Sequence, residues 1–310
     1  MVVPPERESA RLDAVLLDLL PGSGLRARRR LWRRHLVRVN GRPANPGRKV
    51  RPGDEIRLDF PPECARASFA PPVVAAWGDR YLALSKEAGL HTARVAGGEQ
   101  ESLEETLFSH WTAMWAARSP QVPPPPPPRL LTRLDRETSG LVLALWGAGP
   151  EEEDFFRSLE RAGRVDKTYL GLVHGAMAGS ILVRAGLRTR NRRAVEILSS
   201  PDPDAARHTR ITPLRLLEES FLREKGFLGG DAAEPARVLS LVRVSIQRGA
   251  RHQIRAHLAH AGFPLAGDGL YGEKRDAARR LFLHHAAVRL PGFSALDPPG
   301  WGLGEDEYPL

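Results

Sequence analysis

The chain has 310 residues, of which 42% are hydrophobic and 27% charged, with a net charge of +9 at pH 7; this is the profile of a soluble globular protein with enough chain for one large domain or two smaller ones. A single cysteine, Cys64, excludes an internal disulfide framework and fits a reducing compartment. No apolar run approaches the roughly 18 residues of a membrane span, and the opening MVVPPERESARL lacks the basic start and apolar core of a secretory signal, so a cytoplasmic protein with no membrane partner is expected.

Charge is unevenly spread. Residues 1–60 hold 14 Lys/Arg against 7 Asp/Glu, and residues 26–51 carry 11 basic residues and no acid. Such a patch is an electrostatic footprint for phosphates. The alternative is a solvated surface in an arginine-biased chain, since there are 41 Arg and only 5 Lys. That bias explains why the cations are Arg, but not why acids are missing from one stretch.

The elements of this stretch follow in order. ARLDAVLLDLLPG has apolar residues at 12, 15, 16, 19 and 20, a helical period ended by Pro21-Gly22. GLRARRRLWRRHL sets Leu25, Trp32 and Leu36 on one side and Arg26, Arg29, Arg30 and Arg33 on another. Short strands Val37–Val39 and Ile56–Leu58 come next, with turns at Asn40-Gly41 and Pro52-Gly53-Asp54. The RLD opening, the Arg-rich second helix, V-x-VNG and V-x-PGD-x-I resemble the S4 RNA-binding module. The resemblance implies that Arg26, Arg29, Arg30 and Arg33, with Lys49 and Arg51 nearby, lie on RNA phosphates. Such contacts position a substrate and carry little sequence information.

Residues 1–62 are therefore expected to form an RNA-binding domain, and the polar, proline-bearing PPECARASFAPP begins a linker placed at 63–72. The remainder, 73–310, is expected to be a second domain. An irregular stretch near 118–128 ends in six prolines, which cannot join a helix or a central strand, and reads as an extended spacer inserted in that domain. A docking site for a partner that reads polyproline helices is the less favoured alternative. Strands are expected at 81–85, 130–134, 141–145, 167–175, 209–217 and 238–246, and helices at 152–162 and from His252 onward. The rhythm of a dinucleotide fold, the Walker A motif and CxxC are all missing. The class is α+β with a mixed, mainly antiparallel sheet flanked by helices.

RLLTRLDRETSGLVLAL (129–145) sets Asp135 where two apolar runs meet, with Arg133, Arg136 and Glu137 beside it. Desolvation raises a carboxyl pKa, so a nucleophile or base here needs a cation brought to it. Arg255, opening a helix from elsewhere in the chain, is able to supply one. The plainer alternative makes Asp135 a turn residue and Arg255 a surface arginine, and the residues alone leave both open. A zinc site at His252, His257 and His260 is disfavoured, with no HExxH and no cysteine partner.

TRLDRETSGLVL resembles the HRLD-x-x-TSGLLL motif of the RluA-type pseudouridine synthases. KTYLGLVHG resembles their K-x-Y-x-A-L-V-x-G, and HQIRAHLAHAGFPLAGDGLYG their HQIR-x-H-L-x-x-x-G-x-P-I-x-GD-x-x-YG. LFLHHAAVRL resembles L-x-LHA-x-x-L. The similarity runs in the family's order from about residue 75 to 292, and an S4 module ahead of the catalytic domain is a common arrangement there. The resemblance implies isomerisation of uridine to pseudouridine in RNA without cofactor or metal. Carried over by position, Asp135 is the catalytic aspartate, Tyr169 the active-site tyrosine that stacks on uracil, and Arg255 the arginine paired with the carboxylate. Arg133 matches the arginine that helps hold RNA with its target base flipped out, and His252 joins the expected substrate-binding set. Gly140 is expected to allow a tight return between strands, with Thr138 and Ser139 bonding backbone groups there.

The chain departs from the family pattern at Thr132 (usually His), at Lys86-Glu87 (usually Lys-Pro) and at Ala250-Arg251, which implies altered loop packing or RNA contacts. Two other readings stand beside the enzyme. One is a silent RNA-binding or ribosome-assembly factor; the other is a hydrolase using Asp135 and Glu137 as a carboxylate pair. The expected partner is RNA, ribosomal in preference to transfer RNA, and the expected state is a monomer.

Overall fold

The computed structural model describes residues 2–19, 37–58, 71–94, 101–147, 149–189, 194–225, 238–272, 278 and 280–302. The chain divides into two compact units, Met1–Ala70 and Pro71–Leu310.

In the first unit, helix α1 (Leu12–Leu19) and strands β1 (Val37–Val39), β2 (Arg42–Pro43) and β3 (Ile56–Leu58) enclose a small core. Leu12, Val15 and Leu16 from the helix meet Val37, Val39 and Ile56 there. The strands run β2-β1-β3, all antiparallel. Asn40 and Gly41 both have positive φ, 52° and 75°, which the tight hairpin between β1 and β2 requires. Asn40 also ties that turn to the next strand: its Nδ2 donates to Asp54 and its Oδ1 accepts from the Glu55 amide. Lys49 and Arg51 are exposed on the segment before β3. Arg26, Arg29, Arg30 and Arg33, and residues 63–70 of the expected linker, lie outside the described residues.

The second unit is built on a sheet of ten strands among the described residues. Its path is β4 (Val73–Trp77), β5 (Tyr81–Lys86), β7 (Ser139–Leu145), β14 (Leu283–Leu290), β8 (Asp166–His174), β13 (Val238–Ile246), β12 (Thr209–Glu218) and β9 (Ile181–Val183). Short strands β6 (Arg129–Leu130) and β15 (Phe293–Leu296) pair with β7 and β14. Only β7 and β14 run parallel; every other pairing on this path is antiparallel. This is the mixed, mainly antiparallel sheet expected from the sequence. β10 (Ala185–Arg188) and β11 (Glu196–Pro201) form a separate two-stranded ribbon, and a short helix α4 (Glu219–Glu224) follows β12.

The central strands bury both faces, so they read as near-continuous apolar runs. In β7, Leu141, Leu143 and Leu145 join one core with Phe156 and Leu159, while Val142 and Ala144 join another with Leu107 and Trp111. Helix α3 (Pro150–Arg161) supplies the first set of partners and helix α2 (Leu103–Arg118) the second. Sequence reading missed α2 altogether. Its signals were Ser102 and Glu105 in capping-box spacing, and Leu103, Leu107, Trp111 and Trp115 at intervals of four. The proline run that follows is strapped to this helix. Trp115 donates its indole N–H to the Val122 carbonyl and Trp111 to that of Pro125, three residues apart as the polyproline period demands.

The strand expected at 130–134 ends early, at Leu130. The Thr132 hydroxyl accepts the Leu143 amide at 2.9 Å, doing the work of a backbone carbonyl, and residues 131–138 leave the ladder as a loop. Asp135 sits in that loop.

Candidate active site

The loop is held on both flanks by residues 86–92. Thr92 Oγ1 donates to the Leu134 carbonyl and accepts the Leu134 amide. Gly89 and Arg136 bond twice, through the Gly89 amide and the Arg136 guanidinium. Lys86, 1% exposed, directs its three ammonium protons at the carbonyls of Glu87, Leu90 and Arg136. Burial lowers its pKa to about 8, against the opposing pull of Glu137 and Asp135. Asp135 thus lies between two residues whose backbones are fixed. Its own carbonyl accepts the Thr138 amide, closing the turn that starts β7.

Arg255 comes from the first turn of helix α5 (Gln253–His260). It is 6% exposed and makes two 2.8 Å bonds to Asp268, from Nε to Oδ2 and from Nη2 to Oδ1. The remaining amino group, Nη1, lies 3.3 Å from Asp135 Oδ2 and 4.0 Å from Glu137 Oε2. Burial opposes ionisation of Asp268, but the Arg255 bonds together with the amides of Tyr271 and Leu270 outweigh it and hold the carboxyl below its ordinary range. Burial likewise opposes the Arg255 charge, and the two aspartates more than offset it, keeping the pKa above the usual arginine value. A permanently ionised pair therefore presents one free arm to Asp135.

Tyr169 lies on β8 and His285 opposite it on β14. The rings stack with centroids 4.4 Å apart. Burial raises the Tyr169 pKa, with Asp135 and Glu160 adding to the effect, so the phenol is protonated at neutral pH. His285 Nδ1 donates to the Leu141 carbonyl, and burial drives its pKa down to about 3; the imidazole is neutral. The reason β14 can come so close is Gly140. A β-carbon there would stand 2.4 Å from the His285 carbonyl oxygen and 2.5 Å from its nitrogen. Glycine is needed here twice over, for a backbone with φ 106° where the loop enters β7 and for the approach of β14. Ser139 bonds the side chains of His284 and Arg280, not the backbone groups expected.

Arg133 is exposed within the Asp135 loop. His252 caps helix α5, with Nε2 3.8 Å from Asp135 Oδ1 and Nδ1 3.0 Å from the Tyr271 hydroxyl. His257 is engaged at both nitrogens, by Thr209 and the Ala185 carbonyl, and this leaves no lone pair for a metal. Sequence reading missed Asp268, Tyr271, Lys86 and His285 as parts of the site. The first two stood inside the quoted GDGLYG motif, His285 inside LFLHHAAVRL and Lys86 in the Lys-Glu pair compared with the family's Lys-Pro; none of the four was assigned a role there.

The RNA pseudouridylate synthase family model matches residues 80–260, and the S4 domain model matches residues 10–56. The chain belongs to the RNA pseudouridylate synthase family. It is an isomerase acting on RNA, and Lys86, Asp135, Tyr169, His252 and Arg255 lie within the matched synthase region. An uncharacterised RNA pseudouridine synthase of Chloroflexus aurantiacus is 30% identical over 94% of this chain and 84% of its own. Ribosomal large subunit pseudouridine synthase D of Neisseria meningitidis is 28% identical, over 89% of this chain and 67% of its own. Synthase C of Escherichia coli is also 28% identical, over 93% and 87%. Among solved structures, human RNA pseudouridylate synthase domain containing 1 is similar in fold, with a TM-score of 0.52 at 20% identity, over 74% of this chain and 83% of that one.

Proposed function

We propose that Asp135 is the catalytic carboxylate, acting on the ribose C1′ region of a flipped uridine, with Arg255 holding it ionised and Tyr169 stacking on the uracil. The observation that carries this is the convergence of three separate segments on one carboxylate: a pinned loop, the start of a helix, and a central strand. The N1–C1′ bond breaks, uracil turns within the pocket, and C5 joins C1′ as its proton passes to solvent and N1 takes one up. No group is lost and no oxidation state changes overall, so the chemistry requires neither cofactor nor metal. Extracting the nucleotide costs roughly a few kcal/mol, and stacking on an aromatic ring returns about 1–3 kcal/mol. Arg133 completes the substrate-facing set, whereas His252, expected there as well, faces Asp135. Glu137, with its side chain 52% exposed, is too open to serve as the second carboxylate of a hydrolase.

The target is ribosomal RNA, in preference to transfer RNA. Support comes from the names of the Neisseria and Escherichia relatives and from the basic first unit, in which Arg26, Arg29, Arg30, Arg33, Lys49 and Arg51 track the phosphates. Residues 1–62 are the RNA-binding domain, 63–72 the linker and 73–310 the catalytic domain, with its proline-rich insertion near 118–128. A cytoplasmic monomer is part of the same proposal. Among the described residues no helix is long and apolar enough to cross a membrane. The test is tritium release from RNA labelled at uridine C5, with ribosomal and transfer RNA offered separately and Asp135→Ala alongside. Release by the wild type alone, from ribosomal RNA, is the expected result. Release by Asp135→Ala would remove Asp135 from the chemistry. No release by the wild type, with RNA binding intact, would favour a binding factor.

A further inference from the structure

The turn that opens helix α5 carries a second group aimed at Asp135. His252 has φ 54°, a left-handed backbone that residues with a β-carbon adopt rarely. Its Nε2 faces Asp135 Oδ1 at 3.8 Å, while Arg255 faces Oδ2. At the other edge of the ring, Nδ1 lies 3.0 Å from the Tyr271 oxygen. That oxygen already accepts the Val195 amide proton at 2.7 Å. The phenol is therefore free to donate its own proton, and His252 Nδ1 is the acceptor within reach. The imidazole proton is left on Nε2, on the side of Asp135.

We propose that His252 is a positioning residue for Asp135 and that Tyr271 locks its tautomer, in a relay running from the Val195 amide through the Tyr271 hydroxyl and His252 to Asp135 Oδ1. This role rests on Asp135 being the catalytic carboxylate. At 3.8 Å the proton is aimed but the bond is not made; catalytic hydrogen bonds are commonly long before substrate binds and tighten in the reacting complex. The side chain is only 15% exposed, which leaves little surface for RNA itself. The ionisable groups facing the imidazole are Asp135 from the loop, Arg251 and Arg255 from its own turn and helix, and Asp268 and Tyr271 from the turn after it. Burial is the largest influence and, with the two arginines, lowers the imidazole pKa from its ordinary value against the opposing pull of the two aspartates. The anchor of the relay, Val195, stands just ahead of β11, so the lock is fastened to the ribbon β10–β11 rather than to the sheet.

The test is single-turnover pseudouridine formation as a function of pH, with RNA affinity and melting temperature measured in parallel. His252→Ala should slow the step roughly ten- to a hundredfold, the scale of a misplaced reacting group, with RNA affinity unchanged. His252→Gln, which offers an amide N–H without titrating, should recover much of the rate. Tyr271→Phe removes the donor that favours the neutral ring, so the acid limb of the profile should move to higher pH, where the imidazolium pairs with Asp135. In the double variant His252→Gln/Tyr271→Phe that shift should vanish. A full rate in His252→Ala, a loss confined to RNA affinity, or a Tyr271→Phe profile that overlays the wild type would overturn the relay. Asp135→Asn separates the two levels: activity in that variant removes the carboxylate assignment itself, whereas its silence beside an unaffected His252→Ala removes the relay alone.

Discussion

Tyr169 rests on His285 with ring planes 14° from parallel, so one face of the phenol is taken by the protein's own imidazole and the proposed stacking on uracil falls to the other. Tyr169→Phe preserves that stack and removes only the hydroxyl. It should keep kcat within about tenfold of wild type, while Tyr169→Ala forfeits a stacking contact of about 1–3 kcal/mol. A near-complete loss in Tyr169→Phe would assign the hydroxyl a proton-transfer role instead. His285→Ala opens a cavity beneath the ring and should lower stability by about 2–4 kcal/mol in urea unfolding.

Asp268 is the fixed point of the arginine. Its side chain has no exposed surface, and Asp268→Asn leaves Arg255 buried with its main partner neutralised. A destabilisation of about 3–5 kcal/mol is expected, with activity lost because the guanidinium is no longer tethered. An Asn variant as stable as wild type would mean that packing of helix α5 alone sets the arginine.

Two buried histidines give the fold an acid-side weakness. Burial lowers the His257 pKa to about 4 and the His285 pKa to about 3, both below the ordinary value near 6.5. The folded state thus favours the neutral rings. Their contribution is fully present above about pH 6.5 and declines as pH falls toward 4, by about 1.4 kcal/mol per pH unit for each histidine. Urea titrations at pH 7, 6 and 5 should show the slope, and His257→Gln should reduce it by about half, leaving the share of His285. A level unfolding free energy across that range would contradict the neutral assignment.

The basic first unit predicts a salt signature. Neutralising Arg29, Arg30 and Arg33 should reduce the slope of log affinity against log salt by about 2 for single-stranded contacts. The rate on saturating RNA should stay unchanged. An unaltered slope would take phosphate binding away from these arginines.

Much of the site was legible because chemistry and local sequence coincided. Asp135 stood out as an acid between apolar runs, and Arg255 and Tyr169 stood in motifs long enough to carry over. Central strands such as β8 and β13 were legible too, since burial on both faces leaves an uninterrupted apolar run. Helix α2 was missed because its apolar stripe is interleaved with serine, histidine and threonine and leads into prolines, so the stretch reads as irregular unless the Ser102 cap is weighed. The strand expected at 130–134 failed for the opposite reason: the residues suit a strand, but the Thr132 hydroxyl takes the ladder bond.

By itself, then, the sequence determined the family, the order of the motifs, the α+β class and the identity of the groups proposed to act. Those depend on residue type and spacing, which a linear chain displays. Only the tertiary structure decided that Arg255 gives its two shortest bonds to Asp268 and one arm to Asp135, that His285 stacks on Tyr169, and that Gly140 admits the approach of β14. Each of these joins residues from 13 to more than 100 positions apart, and such pairings are set by which strands meet in the sheet, a choice no local preference encodes.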